Sequence, residues 1–180
     1  MRKLVAGLFM SVDGVMESPE QWTGPYMNAE VGQAIGAQFA ASDAMLLGRR
    51  TYETFSRAFA GGTDGMAAQM NASPKYVVSK TLKSADWENT TLICGDVVEE
   101  IKKLKAKPGR NIAISGSASL VRWLLRNNLL DELNLIVPPV VVGSGRRLFE
   151  DGEAQGNLEL VDSKTFSTGV LSLTYAPSGK

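Results

Sequence analysis

Residues 111–149, NIAISGSASLVRWLLRNNLLDELNLIVPPVVVGSGRRLF, decide the fold. Asn111–Ile114 is a short apolar run, the signature of a buried strand. Ser115, Gly116 and Ser117 break that run. Leu120, Trp123, Leu124 and Asn127 then recur at helical spacing, with Ser117 or Ser119 placed as the N-cap. Asn127 and Asn128 end this helix, and residues 132–137 form a second strand that Pro138 and Pro139 stop. The result is a βαβ unit with small residues at the helix N-terminus. Free N–H groups and the helix dipole make such a turn an anion site, while a tight connection with no ligand would carry the same residues.

Outward from this unit, strands alternate with helices. Residues 3–9 are apolar and predict a central strand, followed by a turn at Ser11-Val12-Asp13-Gly14 and a polar loop over 16–25 that carries Trp22. The loop is either a functional lid or an ordinary surface segment under a tryptophan cover. A helix is predicted over 28–41 with Val31, Ile35 and Phe39 on one face and Glu30 in its first turn. Glu30 either complements the helix dipole or presents a carboxylate to a cleft. A strand over 44–47 runs into Gly48-Arg49-Arg50-Thr51, where a helix begins with Tyr52, Phe55 and Phe59 as its stripe. Two arginines at a helix N-terminus oppose the dipole, which a bound anion would explain; the alternative is a pair of solvated surface arginines.

Residues 60–65 predict a mobile Gly-rich loop. Strands follow at 75–79, ending in Ser79-Lys80, and at 90–94, then a charged amphipathic helix over 97–105. Two strands, 158–166 and 170–175, close the chain and add antiparallel edges. These elements predict an α/β fold in one domain over residues 1–180, without repeats or linkers. In open α/β sheets ligands bind beyond the carboxyl ends of the strands, and all three candidate anion sites lie at such ends.

Composition excludes more than it suggests. The 180 residues hold 19 basic and 19 acidic side chains and no histidine. Balanced charge with no basic run argues against a nucleic-acid partner. No apolar run is long enough for a membrane span, and a single cysteine, Cys94, fits a reducing, cytoplasmic setting. Without histidine there is no Ser-His-Asp or Cys-His nucleophile and no His-ligated metal, and one thiol rules out a thiolate site, so no metal is expected. Proton transfer would fall to carboxylates, lysine, tyrosine or water, which suits a reaction whose hard chemistry belongs to a cofactor.

An ordered set of short motifs carries a resemblance. Val5-Ala6-Gly7, the Trp22 loop, Leu46-Leu47-Gly48-Arg49-Arg50-Thr51-Tyr52-Glu53, Val77-Val78-Ser79-Lys80 and Ile114-Ser115-Gly116-Ser117 resemble dihydrofolate reductase in the same order. Ser11-Val12-Asp13-Gly14, Leu129-Leu130-Asp131-Glu132-Leu133, Pro139-Val140-Val141-Val142-Gly143 and Arg147-Leu148-Phe149 resemble the reductase domain of the bifunctional riboflavin-biosynthesis deaminase-reductase. The resemblance covers almost the whole chain. It implies a dihydrofolate-reductase-like three-layer fold, a mostly parallel sheet with antiparallel C-terminal strands, helices on both faces, and NADPH as hydride donor.

Carried over by residue, the resemblance places Gly48, Arg49, Arg50 and Thr51 at the cofactor's pyrophosphate and 2′-phosphate, and Ser79 and Lys80 at the adenosine ribose phosphate. Ser115, Gly116, Ser117 and Ala118 would wrap the pyrophosphate, Leu120 would also contact the cofactor, and Ala6, Gly7 and Val12 would approach the nicotinamide. Asp13, Trp22 and Phe55 become candidate substrate contacts. Glu30 falls nearest the dihydrofolate reductase carboxylate, about two residues or half a helical turn away, and becomes the candidate proton donor with a raised pKa. The chain departs from the family where Ser115-Gly116 replaces paired glycines, which in dihydrofolate reductases carry a cis peptide, and where Ser56-Arg57-Ala58-Phe59 lacks the riboflavin reductases' Asp-Asp-Pro.

The expectation is an NADPH-dependent reductase of a pyrimidine- or pterin-like heterocycle, resembling the phosphoribosylaminouracil reductase of riboflavin biosynthesis. The alternatives are dihydrofolate reductase itself and a nucleotide-binding module without turnover. The resemblance also implies a homodimer, with the apolar final strands as its interface.

Overall fold

A computed structural model describes residues 1–153 and 155–178. Its strands are β1 (Leu4–Phe9), β2 (Ser42–Gly48), β3 (Lys75–Val78), β4 (Thr90–Ile93), β5 (Asn111–Ile114), β6 (Glu132–Val137), β7 (Leu158–Thr165) and β8 (Leu171–Pro177). Its α-helices are α1 (Ala29–Ala40), α2 (Arg49–Phe59), α3 (Gly65–Ala72), α4 (Val97–Ala106) and α5 (Ala118–Arg126). The strands form one sheet in the order β4-β3-β2-β5-β1-β6-β8-β7. The pairs from β4 to β6 are parallel, and β8 runs antiparallel to both β6 and β7.

Alternation along the strands sorts the helices. Ala44 and Leu46 of β2 and Ile112 and Ile114 of β5 share a core with Ile101 and Leu104 of α4 and Leu120, Val121 and Leu124 of α5. Met45, Leu47 and Ala113 turn the other way, toward Tyr52 of α2, Met70 of α3 and Trp87. Val31 of α1 packs with Ile136, Phe166 and Val170 beside them. Crossovers that step toward β4 (α1, α2) therefore cover one face and those that step back (α4, α5) the other, as right-handed connections require. The direction of travel reverses around β5 and β1, the place where such sheets open a crevice at their carboxyl ends.

Helices α1, α4 and α5 carry side-chain N-caps, and at α5 the cap is Ser117 of the two expected serines. Asn28 accepts a hydrogen bond from the Val31 amide, Asp96 from Glu99 and Ser117 from Leu120. The expected mobile loop is corrected: it ends at Asp64, and Gly65 already opens α3. Lys75 lies at the end of that helix and is fully buried. Its ammonium donates to the carbonyls of Met70 (2.7 Å), Asn71 (3.3 Å) and Ser73 (2.8 Å) and sits 4.5 Å from the Trp87 ring. Burial pushes its pKa down, and the Glu88 charge opposes this. The lysine thus satisfies the Met70 and Ser73 carbonyls, which would otherwise be orphaned, and shares the Asn71 carbonyl with the Asn89 side-chain amide at 2.8 Å.

Candidate active site

Two strand–helix junctions meet at the carboxyl edge of β2 and β5. Gly48 ends β2 and caps α2 without a side-chain hydrogen bond, so among the described residues the first-turn amides of α2 have no side-chain cap. Ser115, Gly116 and Ser117 join β5 to α5, and the Gly48 amide donates to the Gly116 carbonyl at 3.2 Å. The approach is closed to larger residues. A β-carbon at Gly48 would lie 2.6 Å from the Ser117 hydroxyl oxygen, and one at Gly116, whose φ is +135°, would lie 2.7 Å from Thr51 Oγ1. The peptide between Gly116 and Ser117 is cis, one bond beyond Ser115-Gly116. Two helix N-termini therefore converge on one spot, a geometry suited to a diphosphate.

This spot opens into a cleft of about 610 Å³ that also contacts Gly7, Phe9, Ile35, Gln38 and Phe39. The cleft brings together Gly7, Arg50, Thr51, Phe55, Ser115, Gly116, Ser117 and Ala118 from the expected set. Gly48 and Leu120, also expected at the cofactor, do not line it: Gly48 is packed against Ser117, and Leu120 is buried in the core on the α4/α5 face.

The remaining candidates lie outside its lining, most of them held by other partners. Ala6 is fully buried in the core on the α4/α5 face. Val12 is exposed, and its amide donates to the Val140 carbonyl at 2.9 Å. Asp13 accepts from Ser11 Oγ (2.6 Å), the Val142 amide (3.1 Å) and the Gly143 amide (2.8 Å), which hold its carboxyl down at about 2. Trp22 donates its indole N–H to the Glu17 carbonyl at 3.0 Å. Arg49 pairs with Glu53 one turn on, at 3.3 Å. Ser79 Oγ accepts from the amides of Thr81 (3.2 Å) and Leu82 (3.0 Å), and Lys80 is exposed beside it.

Glu30 needs a correction. The Ser167 hydroxyl and amide, then Asn28 and the charge of Lys164, hold its pKa below the ordinary carboxylate value. Its Oε2 accepts from the Ser167 amide at 2.9 Å and from the Asn28 side chain at 3.3 Å. The expected rise required a desolvated carboxyl, and these donors favour the charged form instead.

Three features of the cleft were not singled out from the sequence. Gln38 enters it from α1, and Thr54 from α2. At the α5 side, Arg122 pairs with Glu150 (3.2 Å) and Glu153 (3.0 Å), while the Arg146 amide donates to Glu17 at 2.9 Å. Gln38 did leave a signal. It stands three residues after Ile35 and seven after Val31, a polar residue within an apolar stripe. Among the described residues no cluster of three or more His, Cys, Asp or Glu is placed to hold a metal ion.

Comparison with known proteins bears on the fold and the family. The chain is 29% identical to the uncharacterized protein YyaP of Bacillus subtilis, over 99% of this chain and 96% of that one. Its fold is similar to that of a Shewanella sp. PV-4 protein assigned to riboflavin biosynthesis, with TM-score 0.81, 20% identity and coverage of 98% and 99% of the two chains. It is also similar to dihydrofolate reductase of Enterococcus faecalis complexed with NADP(H), with TM-score 0.65, 15% identity and coverage of 98% and 97%. The model of the RibD C-terminal domain matches residues 2–172. With a match over nearly its whole length, the chain belongs to the RibD C-terminal domain family.

Proposed function

We propose that the chain is an NADPH-dependent reductase of a flat heterocycle, acting as one domain. The observation that supports this best is the interlock of Gly48 with Ser117 and of Gly116 with Thr51, which aims two helix N-termini into one cleft. Its residues fit a dinucleotide: the cradle is one that a β-carbon would fill, and Arg50 lines the same space. Arg50, Thr51 and the turn from Ser115 to Ala118 would hold the diphosphate, with Arg49, Ser79 and Lys80 toward the adenosine end and Gly7 beside the nicotinamide. The cofactor would supply the hydride. The chain's own residues orient the ring and keep it apart from bulk water. With Glu30 tied to Ser167, proton delivery falls to water in the cleft.

A homodimer and a cytoplasmic setting complete the proposal. Leu158, Leu160, Val161 and Leu171 on β7 and β8 expose apolar surface that a second copy would cover. Among the described residues no helix is long and apolar enough to cross a membrane. Sedimentation tests the dimer: Leu160→Lys should yield monomer, and an unchanged mass would move the interface elsewhere.

The cofactor is tested by titrating tryptophan fluorescence. NADPH should bind at least about tenfold tighter than NADH, since one charge-assisted phosphate contact contributes roughly 1.5–3 kcal/mol. Equal affinities would remove the 2′-phosphate assignment. Oxidation of NADPH is then screened across dihydrofolate, pyrimidines and pteridines. Binding with no turnover anywhere in that panel would leave a nucleotide-binding module.

A further inference from the structure

The end of the cleft between α1 and α3 differs from the end at the two junctions. Ile35, Phe39, Phe55, Met66 and Met70 supply apolar walls there. A second cavity of about 230 Å³ shares Ile35, Phe39, Met66, Met70 and Ala113 with the cleft, and no charged residue lines it. Gly32 and Gly36 of α1 face this side chamber, and a β-carbon at either would meet open space.

Gln38 brings hydrogen-bonding capacity to these walls. Its carboxamide lies flat against the strand at Gly7, where an added β-carbon would come within 1.9 Å of Nε2 and 2.6 Å of Oε1. A β-carbon at position 7 would push the carboxamide out of this place. Gln38 and Gly7 both line the cleft, and among the described residues nothing hydrogen-bonds the carboxamide. A primary amide presents one donor and one acceptor side by side and carries no charge. Its complement is a cis-amide edge, the N–H and C=O of a lactam. A carboxylate at this place would instead favour a protonated amidine-type ring.

We infer that this end of the cleft seats a flat, uncharged heterocycle with a lactam edge, that Gln38 is the residue reading that edge, and that an apolar substituent on the ring enters the methionine-lined chamber. The inference deepens the proposed reductase function and rests on it for the hydride donor alone. Sites built to pair polar groups reject ligands that leave those groups unpaired, so Gln38 acts as a specificity determinant. The uncharged chamber also disfavours a phosphate-bearing substituent on that side.

The test measures ring binding to the full chain by calorimetry, with NADPH binding followed separately by tryptophan fluorescence. The probes are quinazolinone, a benzyl-substituted quinazolinone, and diaminoquinazoline, which protonates. Wild type should prefer the two lactams. Gln38→Leu should weaken quinazolinone at least about tenfold with NADPH affinity unchanged, and Gln38→Glu should reverse the preference toward diaminoquinazoline. Gly36→Leu fills the chamber and should weaken only the benzyl-substituted probe. Unchanged quinazolinone affinity in folded Gln38→Leu overturns the assignment of Gln38, and equal benzyl-probe affinity in Gly36→Leu overturns that of the chamber. A chain that binds NADPH but no ring overturns the inference alone. A chain that binds the lactam but not NADPH overturns the reductase function and leaves Gln38 in place.

Discussion

Ser117 rests on the α-carbon of Gly48, so that a β-carbon there would lie 2.6 Å from its hydroxyl oxygen and 3.2 Å from its amide nitrogen. The backbone side of that contact cannot swing away as a long side chain can. Gly48→Ala should therefore push the two junctions apart, and overpacking of this kind costs roughly 1–3 kcal/mol. Gly116→Val is more severe, because φ is +135° and Thr51 stands in the way. Both variants should keep their circular dichroism spectrum, with NADPH bound at least about tenfold more weakly. A folded Gly116→Val chain with normal NADPH affinity would show that the turn is only a connection.

Lys75 gives a stability prediction far from the cleft. Lys75→Met keeps much of the side-chain length but leaves the Met70 and Ser73 carbonyls without their donor, while the Asn71 carbonyl keeps the Asn89 side-chain amide at 2.8 Å. Loss on the order of 3 kcal/mol follows from stranding buried acceptors. Urea denaturation measures it, and a midpoint equal to wild type would mean that water replaces the ammonium.

The contrast between Lys75 and Ser115–Ser117 explains what the sequence could reveal. The strand and helix periods around β5, α5 and β6 are long and regular, so the βαβ unit and its small-residue turn were legible. Helix α3, GMAAQMNA, is short and its two polar residues, Gln69 and Asn71, fall on different sides, so its period is silent; its place is set by tertiary contacts such as Lys75 under Trp87. In Lys75-Tyr76-Val77-Val78 the lysine reads as a polar strand end, and only the fold brings the α3 carbonyls around it. The same limit applies to Asp13 and Glu30. Their partners, Gly143 and Ser167, lie 130 and 137 residues away, beyond any local pattern.

Asp13 predicts the acid limb of stability. Three donors hold its folded-state pKa at about 2, below the ordinary carboxylate value, so the folded chain binds this proton less readily than the unfolded one. The contribution is therefore complete above the ordinary carboxylate pKa and is lost as pH falls from there toward about 2. Asp13→Asn should flatten that limb. Urea midpoints for both proteins should differ at about pH 5 and draw steadily together as pH falls toward about 2. A constant difference across that window would show that the carboxyl does not titrate against the loop.

Glu30 separates a catalytic from a structural carboxylate. As the first carboxylate on the helix after the Trp22 loop, it was the natural proton donor in a chain without histidine. A donor of that kind needs a pKa raised toward neutrality, and its removal slows turnover by roughly 10²-fold or more. In the fold, Ser167 and Asn28 donate to it, its pKa is lowered, and it ties the first turn of α1 to the turn between β7 and β8. The linkage sign follows from that direction. Stability from Glu30 is present above the ordinary glutamate pKa and is lost as pH falls through the lower folded value. Glu30→Gln should thus leave NADPH affinity and turnover within about twofold of wild type, while Ser167→Ala should raise the Glu30 pKa measured by NMR. Steady-state NADPH oxidation with any substrate found in the heterocycle screen decides the matter. A Glu30→Gln rate about a hundredfold below wild type, with cofactor affinity intact, would return the proton-donor role to Glu30 and overturn the assignment to water.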